Sequence, residues 1–228
     1  MLRTKVYVDG YNLYYGCLKG TKHKWLDLHI LFNNHIIPSS AISKSELTGI
    51  KFFTAPILEK VSKAQDSVSS QMLYHNALEK LYPNEVQIIK GYYSLTQTKA
   101  KAIDLSDKDK WARDCEEVYV WKVEEKQTDV NLALHAYHDA ISGNIDQVVI
   151  VTNDTDIAPA LQMIREFTNI TIGLVIPTTN HTRRPNADLA KLAHWVRSHI
   201  TETELAASQM PDVIAKGRTP TIKPESWR

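Results

Sequence analysis

The order of short apolar runs and helical patterns constrains the fold of this chain more than any other feature. Apolar, β-rich runs predict strands at residues 5–9, 50–55, 86–93, 117–123, 147–152 and 170–177. Helical patterns separate most of these runs, at residues 25–34, 60–83, 128–143, 156–167 and 186–200. Several runs are apolar at consecutive positions, which is typical of parallel strands covered on both faces. The alternation therefore predicts an α/β fold, a central, mostly parallel sheet with helices on both faces.

The helical pattern at residues 128–143 carries its larger apolar residues on one stripe. Val130, Leu134, Tyr137 and Ile141 recur at helical spacing, and Gly143 follows as a plausible C-terminal cap. The stripe predicts the face of this helix that packs against the rest of the protein.

Two segments fall outside the alternation. Residues 94–116 are polar and lysine-rich, and they are predicted to form a hairpin loop that makes strand 117–123 antiparallel to strand 86–93. Residues 201–228 contain three prolines and little periodicity, which indicates an arm or a loose tail. We therefore expect one domain over residues 1–200, with the C-terminal segment as a candidate for exchange between copies in a homo-oligomer.

Charge and cysteine content exclude several classes of protein. The 27 lysines and arginines nearly balance the 26 aspartates and glutamates, so any nucleic-acid contact must be local rather than driven by bulk charge. Two cysteines cannot make a disulfide framework or a cysteine-rich zinc site. No apolar run approaches the ~20 residues of a membrane span, and no signal region precedes the first strand, so a cytoplasmic protein is expected.

Acidic side chains follow the predicted strands at one edge of the sheet. Asp9 ends the first strand, Asp154 and Asp156 follow the strand 147–152, and Asp129 begins the helix at 128–143. In open α/β sheets ligands bind beyond the carboxyl ends of the strands, so these groups are expected to converge there. Carboxylates gathered in one pocket repel each other unless a cation lies between them, and Mg²⁺ or Mn²⁺ prefers such oxygen ligands. The pattern predicts a metal site, which suits phosphodiester hydrolysis.

Each of these aspartates also has a structural explanation. Asp9 can cap a turn, and Asp129, Asp154 or Asp156 can cap the start of a helix, where a carboxylate complements the helix dipole. The joint occurrence of four such residues along one edge favours the metal site over four independent caps.

Three ordered motifs resemble the NYN domain family, a PIN-like nuclease group that includes the bacterial DUF88 and LabA-like proteins. The motifs are "VDGYN" at residues 8–12, "EEKQTDV" at 124–130 and "VIVTNDTDIAPAL" at 149–161. The resemblance implies a PIN-like three-layer sandwich and a metal-dependent ribonuclease that uses Mg²⁺ or Mn²⁺.

The same resemblance implies the roles of individual residues. It assigns the metal to Asp9, Asp129, Asp154 and Asp156, and it adds Asn12 and Lys126 as further catalytic positions. One position departs from the family pattern, because Asn153 stands where the family often has glycine, and this puts the placement of Asp154 in question.

Basic and aromatic residues near the acidic edge provide candidate contacts to RNA. Arg183 and Arg184 lie in the segment 180–191, Lys99 and Lys101 lie in the polar loop, and Tyr11 stands beside Asp9 with Tyr14 and Tyr15. Cations bind phosphates and tyrosine rings stack on unpaired bases.

These features lead to a predicted endoribonuclease that hydrolyses RNA at the four-aspartate pocket. The alternative is a module of the same fold that binds RNA without cleaving it. A haloacid-dehalogenase-like phosphatase is rejected because position 11, where its second aspartate would stand, is tyrosine. Dinucleotide binding is rejected because no glycine-rich G-x-G-x-x-G turn follows a strand.

Overall fold

A computed structural model describes residues 1–40, 44–62, 64–179 and 183–228 of the chain. A central sheet of six parallel strands runs in the order β3-β2-β1-β6-β7-β8. Its strands are β1 (Leu2–Asp9), β2 (Ser45–Thr54), β3 (Val86–Lys90), β6 (Gln147–Val151), β7 (Thr171–Val175) and β8 (Trp195–Arg197). Two further pairs are β4 (Tyr92–Lys101) with β5 (Glu117–Lys126), and β9 (Val213–Ile214) with β10 (Thr221–Ile222).

The helices lie between these strands along the chain. They are α1 (Gly10–Leu13), α2 (Leu28–Ile30), α3 (Ser67–Leu81), α4 (Thr128–Ile141), α5 (Ala158–Phe167), α6 (Ala187–Leu192) and α7 (Glu202–Ala207). Two π-helical turns, Tyr14–Leu18 and Leu31–Ile36, extend α1 and α2. No helix in the described ranges is long and apolar enough to cross a membrane.

β1 lies at the centre of the sheet because both of its edges are paired. Val6 is level with Ile50 of β2 on one side and with Val149 of β6 on the other. All five residues of β6 are buried, as the consecutive apolar run predicts. The α/β prediction, with a central parallel sheet between helical layers, is confirmed.

Each face of the sheet carries its own core. On one face Trp25, Phe32 and Leu78 pack against Val6 and Val149. On the other face Leu132, Leu161 and Leu189, from α4, α5 and α6, join Ile150 and Leu174 in the second core.

Three of the four residues of the apolar stripe predicted for α4 are on the exposed side of the helix, and only Tyr137 packs against the second core. Leu132, Ala136 and Ala140 are buried, whereas Val130 and Leu134 are more than 60% exposed. The buried face also contains Asp139, which accepts hydrogen bonds from Tyr7 Oη at 2.7 Å and Lys51 Nζ at 2.6 Å. Small residues and a paired carboxylate let the helix approach the sheet closely, so apolar size alone did not identify the packed face.

The hairpin is longer than the sequence predicts, and it forms a sheet of its own. β4 and β5 pair from Tyr92 with Lys126 to Lys101 with Glu117, so only residues 102–116 remain as the connection. The prediction that residues 94–116 are loop and that 117–123 pairs with 86–93 is therefore wrong in detail. Both faces of this hairpin meet solvent, and its strands consequently lack the buried apolar side that marks a strand in the sequence.

Gly91 is the point where the chain leaves the central sheet. Its amide donates to Thr54 O at 2.8 Å, and a Cβ at this position would lie 2.3 Å from Lys126 O. Only glycine fits this close approach, and the single strand predicted over 86–93 is divided here into β3 and β4.

The helix predicted over 186–200 ends early. α6 stops at Leu192, and Trp195 starts the edge strand β8, with its indole N–H donating to Gln147 Oε1 at 3.0 Å. Pairing of β8 with β7 replaces the second half of the predicted helix, because tertiary contacts outweigh local helix propensity.

Residues 201–228 lie along the domain as an arm. Thr201 and Glu204 form a capping box at the start of α7. Met210 and Ile214 belong to the first core, and the Trp227 ring lies 6.2 Å from the ring of Trp25.

Trp25 connects the domain to this arm, and its replacement is expected to loosen both. The side chain is fully buried, and its indole N–H donates to Pro211 O at 2.9 Å. Trp25→Phe removes that hydrogen bond and leaves a cavity, which should lower the free energy of unfolding by about 2–3 kcal/mol. Trp121→Phe on the exposed hairpin is the control, with an expected change within about 0.5 kcal/mol. Urea unfolding measures both, and equal effects would show that Trp25 does not anchor the arm.

Candidate functional site

Asp9 lies at the carboxyl end of β1 and is 2% exposed. Its Oδ1 accepts from the backbone amide of Asn12 at 2.9 Å. Its Oδ2 accepts from Asn12 Nδ2 at 2.6 Å and from the Thr152 hydroxyl at 2.8 Å. Burial raises the pKa of the Asp9 carboxyl, and these hydrogen bonds partly oppose the effect. Asp9 thus caps α1 and links the end of β1 to the end of β6.

The segment after β6 continues this hydrogen-bonded arrangement. Asp154 accepts from the amide of Asp156 at 3.0 Å and caps the short 3₁₀ turn Thr155–Ile157. Asn153 donates to Arg184 O at 3.1 Å and accepts from Asn186 N at 2.9 Å. Asn153 is absent from the residues with positive φ, so the structure does not need glycine there. Its side chain instead ties the loop before α6 to the acidic edge.

Asp129 stands in the first turn of α4, directly after a strained backbone position. Gln127 has a φ of 73°, the only positive φ of a non-glycine residue in the described ranges. Desolvation, together with the carboxylates of Asp9, Asp154, Glu125 and Asp156, raises the pKa of Asp129 to about 6. The structure therefore brings the four predicted aspartates into one electrostatic cluster and adds Glu125 to it.

The residues of the predicted metal site make other contacts in the structure. Among the described residues no group of three or more His, Cys, Asp or Glu side chains is arranged to hold an ion. Asp9 already accepts three hydrogen bonds, and Lys126 forms an ion pair with Glu124 at 3.3 Å. The helix-cap explanation accounts for Asp9 and Asp154 directly.

The predicted RNA-contacting residues are divided between two places. Lys99 and Lys101 lie on the hairpin and pair with Glu117 at 3.7 and 3.6 Å. Arg183 and Arg184 are exposed beside the acidic edge, and the charge of Arg183 acts on Tyr11. Residues 180–182, which begin the predicted basic segment, lie outside the described residues.

An aromatic cavity of about 280 Å³ opens next to the acidic edge. Its aromatic lining consists of Tyr11, Tyr14, Tyr15, Phe52, Tyr74, His75, Tyr93 and Trp227. Glu125 also lines the cavity and belongs to the acidic cluster, so it stands between the two features. A cavity with mostly apolar walls and few polar groups is the usual form of a small-molecule site.

Close packing under the tyrosine-bearing segment holds that cavity wall in place. A Cβ at Gly16 would lie 1.7 Å from Pro177 O, so only glycine lets the π-helical turn Tyr14–Leu18 rest on the end of β7. The rings of Tyr11 and Tyr15 then pack with their centres 4.4 Å apart and their planes tilted by 37°.

Sequence reasoning missed Glu125, His75 and Trp227 as site residues. The tyrosines at positions 11, 14 and 15 were the available signal, and they were interpreted as a surface that stacks on bases. Trp227 lies in the C-terminal segment, far from the other lining residues along the chain, and no local pattern connects it to them.

The sequence profile of the NYN domain family matches residues 3–194. The chain belongs to the NYN domain family. The match covers most of the chain and confirms the resemblance given by the three motifs.

Two individual proteins are similar to this NYN-domain chain. The 6-hydroxy-3-succinoylpyridine 3-monooxygenase HspA from Pseudomonas putida is 56% identical, in an alignment that covers 99% of this chain and 75% of the relative. A solved structure of a protein of unknown function from Vibrio parahaemolyticus is 18% identical, with a TM-score of 0.49 over 88% of this chain and 94% of that chain.

The HspA relative contradicts the predicted function. At 56% identity over nearly the whole chain, the relative is named as a monooxygenase and not as a nuclease. The prediction of a Mg²⁺- or Mn²⁺-dependent endoribonuclease is therefore wrong, and the alternative of a non-cleaving RNA-binding module is set aside with it. The roles of the individual site residues, a bound divalent cation, RNA as a partner, a homo-oligomer and a cytoplasmic location stay predictions.

Asp129 provides a test of the electrostatic cluster. The pKa of Asp129 is about 6 in the folded chain, whereas an aspartate in an unfolded chain has a pKa of about 3.9. Above pH 6 the carboxylate is ionised in both states, and its ionisation therefore lowers the free energy of unfolding. This cost disappears as the pH falls from 6 towards 4. Asp129→Asn should stabilise the protein by about 1 kcal/mol at pH 7.5, a figure reduced for the exposure of the side chain. Less than half of the gain should remain at pH 4.5.

Thermal or urea unfolding at the two pH values measures this gain. Asp188→Asn is the matched control, because Asp188 occupies the first turn of α6 outside the cluster. The difference between the two variants isolates the clustered carboxylates from the general effect of a first-turn aspartate. A gain of equal size at both pH values would contradict the cluster.

Proposed function

We propose that this NYN-domain protein is a monooxygenase that acts on a hydroxylated pyridine with a carboxylate-bearing side chain. The observation that carries the proposal is the 56% identity with HspA over 99% of this chain. The printed name of that relative gives the substrate as 6-hydroxy-3-succinoylpyridine and the position of oxygenation as ring carbon 3.

The overall reaction of a monooxygenase sets what the protein must accommodate. One oxygen atom of O₂ enters the ring and the other leaves as water. Because ring carbon 3 carries the succinoyl group, the bond between the ring and the acyl group breaks. With the acyl group released as an aldehyde, a two-electron donor is oxidised twice and four protons are taken up. We assign that donor only by class, as a reduced nicotinamide or a reduced flavin. The chain's own residues then bind the ring, orient it and limit the access of water.

The cavity beside the acidic edge is the site proposed for the ring. Its volume of about 280 Å³ is close to the lower end, roughly 300 Å³, of small-molecule sites, and this suits a single aromatic ring with a short side chain. Aromatic rings prefer offset or edge-to-face packing against other rings, and Tyr11, Phe52 and Trp227 are among the rings that line the cavity.

The acidic edge is proposed to handle protons next to that ring. Glu125 lines the cavity, and its charge acts on Asp129, whose pKa is raised to about 6. A group with a pKa near neutrality exchanges protons efficiently at physiological pH. Loss of a proton from a hydroxypyridine raises the electron density of the ring, which favours its attack on an oxidant.

Oxygen incorporation tests the proposed activity directly. The protein is incubated with 6-hydroxy-3-succinoylpyridine, ¹⁸O₂ and NADH or NADPH, with and without FAD or FMN. We expect oxygen uptake that depends on the substrate, and a hydroxylated pyridine product that carries one ¹⁸O atom by mass spectrometry. Folded protein that shows no substrate-dependent uptake with any of these donors would overturn the proposal.

A matched pair of variants links the activity to the cavity. Ser67 lines the cavity at the start of α3, whereas Ser69 is exposed on the same turn. Ser67→Trp fills part of the cavity and should lower kcat/KM by at least about tenfold, which corresponds to about 1.4 kcal/mol. Ser69→Trp should stay close to the unmodified protein, and equal losses in both variants would place the ring elsewhere.

A further inference from the structure

Glu125 has one carboxylate oxygen that is satisfied and one that is not. Its Oε2 accepts from the Tyr93 hydroxyl at 3.2 Å. Its Oε1 is buried and has no hydrogen-bond partner. Buried acceptors nearly always have a donor, and Glu125 is one of the residues that line the cavity, so a ligand in the cavity is a candidate donor to this unpaired oxygen.

The surroundings of Glu125 give this end of the cavity its chemistry. The hydroxyl-bearing rings of Tyr11, Tyr15 and Tyr93 converge here, and the charge of Glu125 raises the pKa of both Tyr11 and Tyr93 in addition to burial. Tyr11 and Tyr93 keep their protons, and the Tyr93 hydroxyl already donates to Glu125. This end of the cavity therefore combines a carboxylate acceptor with tyrosine hydroxyls.

The cavity has a cationic residue in another part of its wall. Lys24 is the one lysine or arginine among the described residues that line it, and its Nζ lies 6.0 Å from the centre of the Trp227 ring. Asp66 also lines the cavity, but its carboxylate accepts hydrogen bonds from the hydroxyls of Ser70 and Ser226. His75 is neutral at pH 7, because burial lowers its pKa to about 4.

A 6-hydroxypyridine matches this arrangement of groups. A hydroxyl next to the ring nitrogen converts to the 2-pyridone form in water, which places an N–H donor beside a carbonyl acceptor. The N–H complements a carboxylate acceptor, and the carbonyl complements a tyrosine hydroxyl. A pyridine without that hydroxyl presents a lone pair instead, which a carboxylate repels.

We propose that Glu125 binds the ring N–H of a 2-pyridone through Oε1, and that Lys24 binds the carboxylate of its side chain. This inference rests on the proposed function, which gives the class of ligand. The two residues are taken from the lining of the cavity. Glu125 and Lys24 then determine which pyridines enter: the ring must carry a donor at nitrogen, and the side chain must carry a negative charge.

Binding measured without reductant tests this assignment apart from turnover. Isothermal titration calorimetry compares 6-hydroxy-3-succinoylpyridine, its N-methylated pyridone and unsubstituted 2-pyridone. N-methylation removes the donor, and we expect it to weaken binding to the unmodified protein by about tenfold or more, since the lost hydrogen bond is to a charged group.

Two substitutions of Glu125 separate the acceptor from its charge. Glu125→Leu should weaken binding of the ligand with a ring N–H by about tenfold. It should change the affinity for the N-methylated ligand by less than about threefold. Glu125→Gln keeps the shape of the side chain and one acceptor oxygen, and it should weaken binding of the ligand with a ring N–H by only about threefold. Glu117→Gln, at the other end of β5, is the control and should change neither ligand.

Lys24→Met tests the other half of the assignment. This substitution should weaken binding of 6-hydroxy-3-succinoylpyridine by about tenfold. It should change the affinity for unsubstituted 2-pyridone by less than about twofold, because only the former carries a carboxylate. Near-ultraviolet circular dichroism of each variant confirms that the cavity is folded.

The outcomes distinguish this inference from the proposed function. If the N–H and N-methylated ligands keep the same affinity ratio in Glu125→Leu as in the unmodified protein, the assignment of Glu125 is overturned, even where the protein oxygenates its substrate. If the ratio collapses as expected but no ¹⁸O enters any product, the binding assignment is supported and the monooxygenase proposal fails. Absence of pyridone binding overturns the assignment outright.

Discussion

The buried carboxylate of Asp9 is the interaction on which the functional edge depends. Asp9 ends the central strand of the sheet, where almost no water reaches it. It stays there because Asn12 and Thr152 donate three hydrogen bonds to it, from α1 on one side and from the end of β6 on the other. The same bonds set the direction in which the tyrosine-bearing segment leaves the sheet. The position of the cavity wall therefore follows from one satisfied buried acid.

Membership of a family and the chemistry of a site are separate properties of this protein. The NYN motifs identify the family and its fold correctly, and the predicted aspartates do form a cluster. The high-identity relative is nevertheless named as a monooxygenase. One acidic edge can serve different reactions, because the fold only positions the groups, while the neighbouring cavity selects what they act on. Here that neighbour is lined by aromatic rings, which suits a flat heterocycle.

Glu125 shows how the two parts of the site are joined. It lies near the end of β5, on a hairpin that belongs to a separate sheet, and it both adds its charge to the cluster around Asp129 and lines the cavity. Gly91 and the left-handed backbone at Gln127 place this strand end against the central sheet. A change in the path of the hairpin would therefore separate the acidic cluster from the aromatic cavity.

The parallel sheet, most of its strands and the acidic edge could be predicted from the sequence, because each depends on a local run of residues that ends at a defined point. The sequence predicted the wrong face of α4, since Asp139 is buried through contacts with Lys5, Tyr7 and Lys51, which lie on β1 and β2. It also extended the helix after residue 186 beyond its real end. The cavity was decided by tertiary structure alone. Trp227, Lys24 and Glu125 come from distant segments, and only the packing of the C-terminal arm and the hairpin against the domain brings them to one cavity.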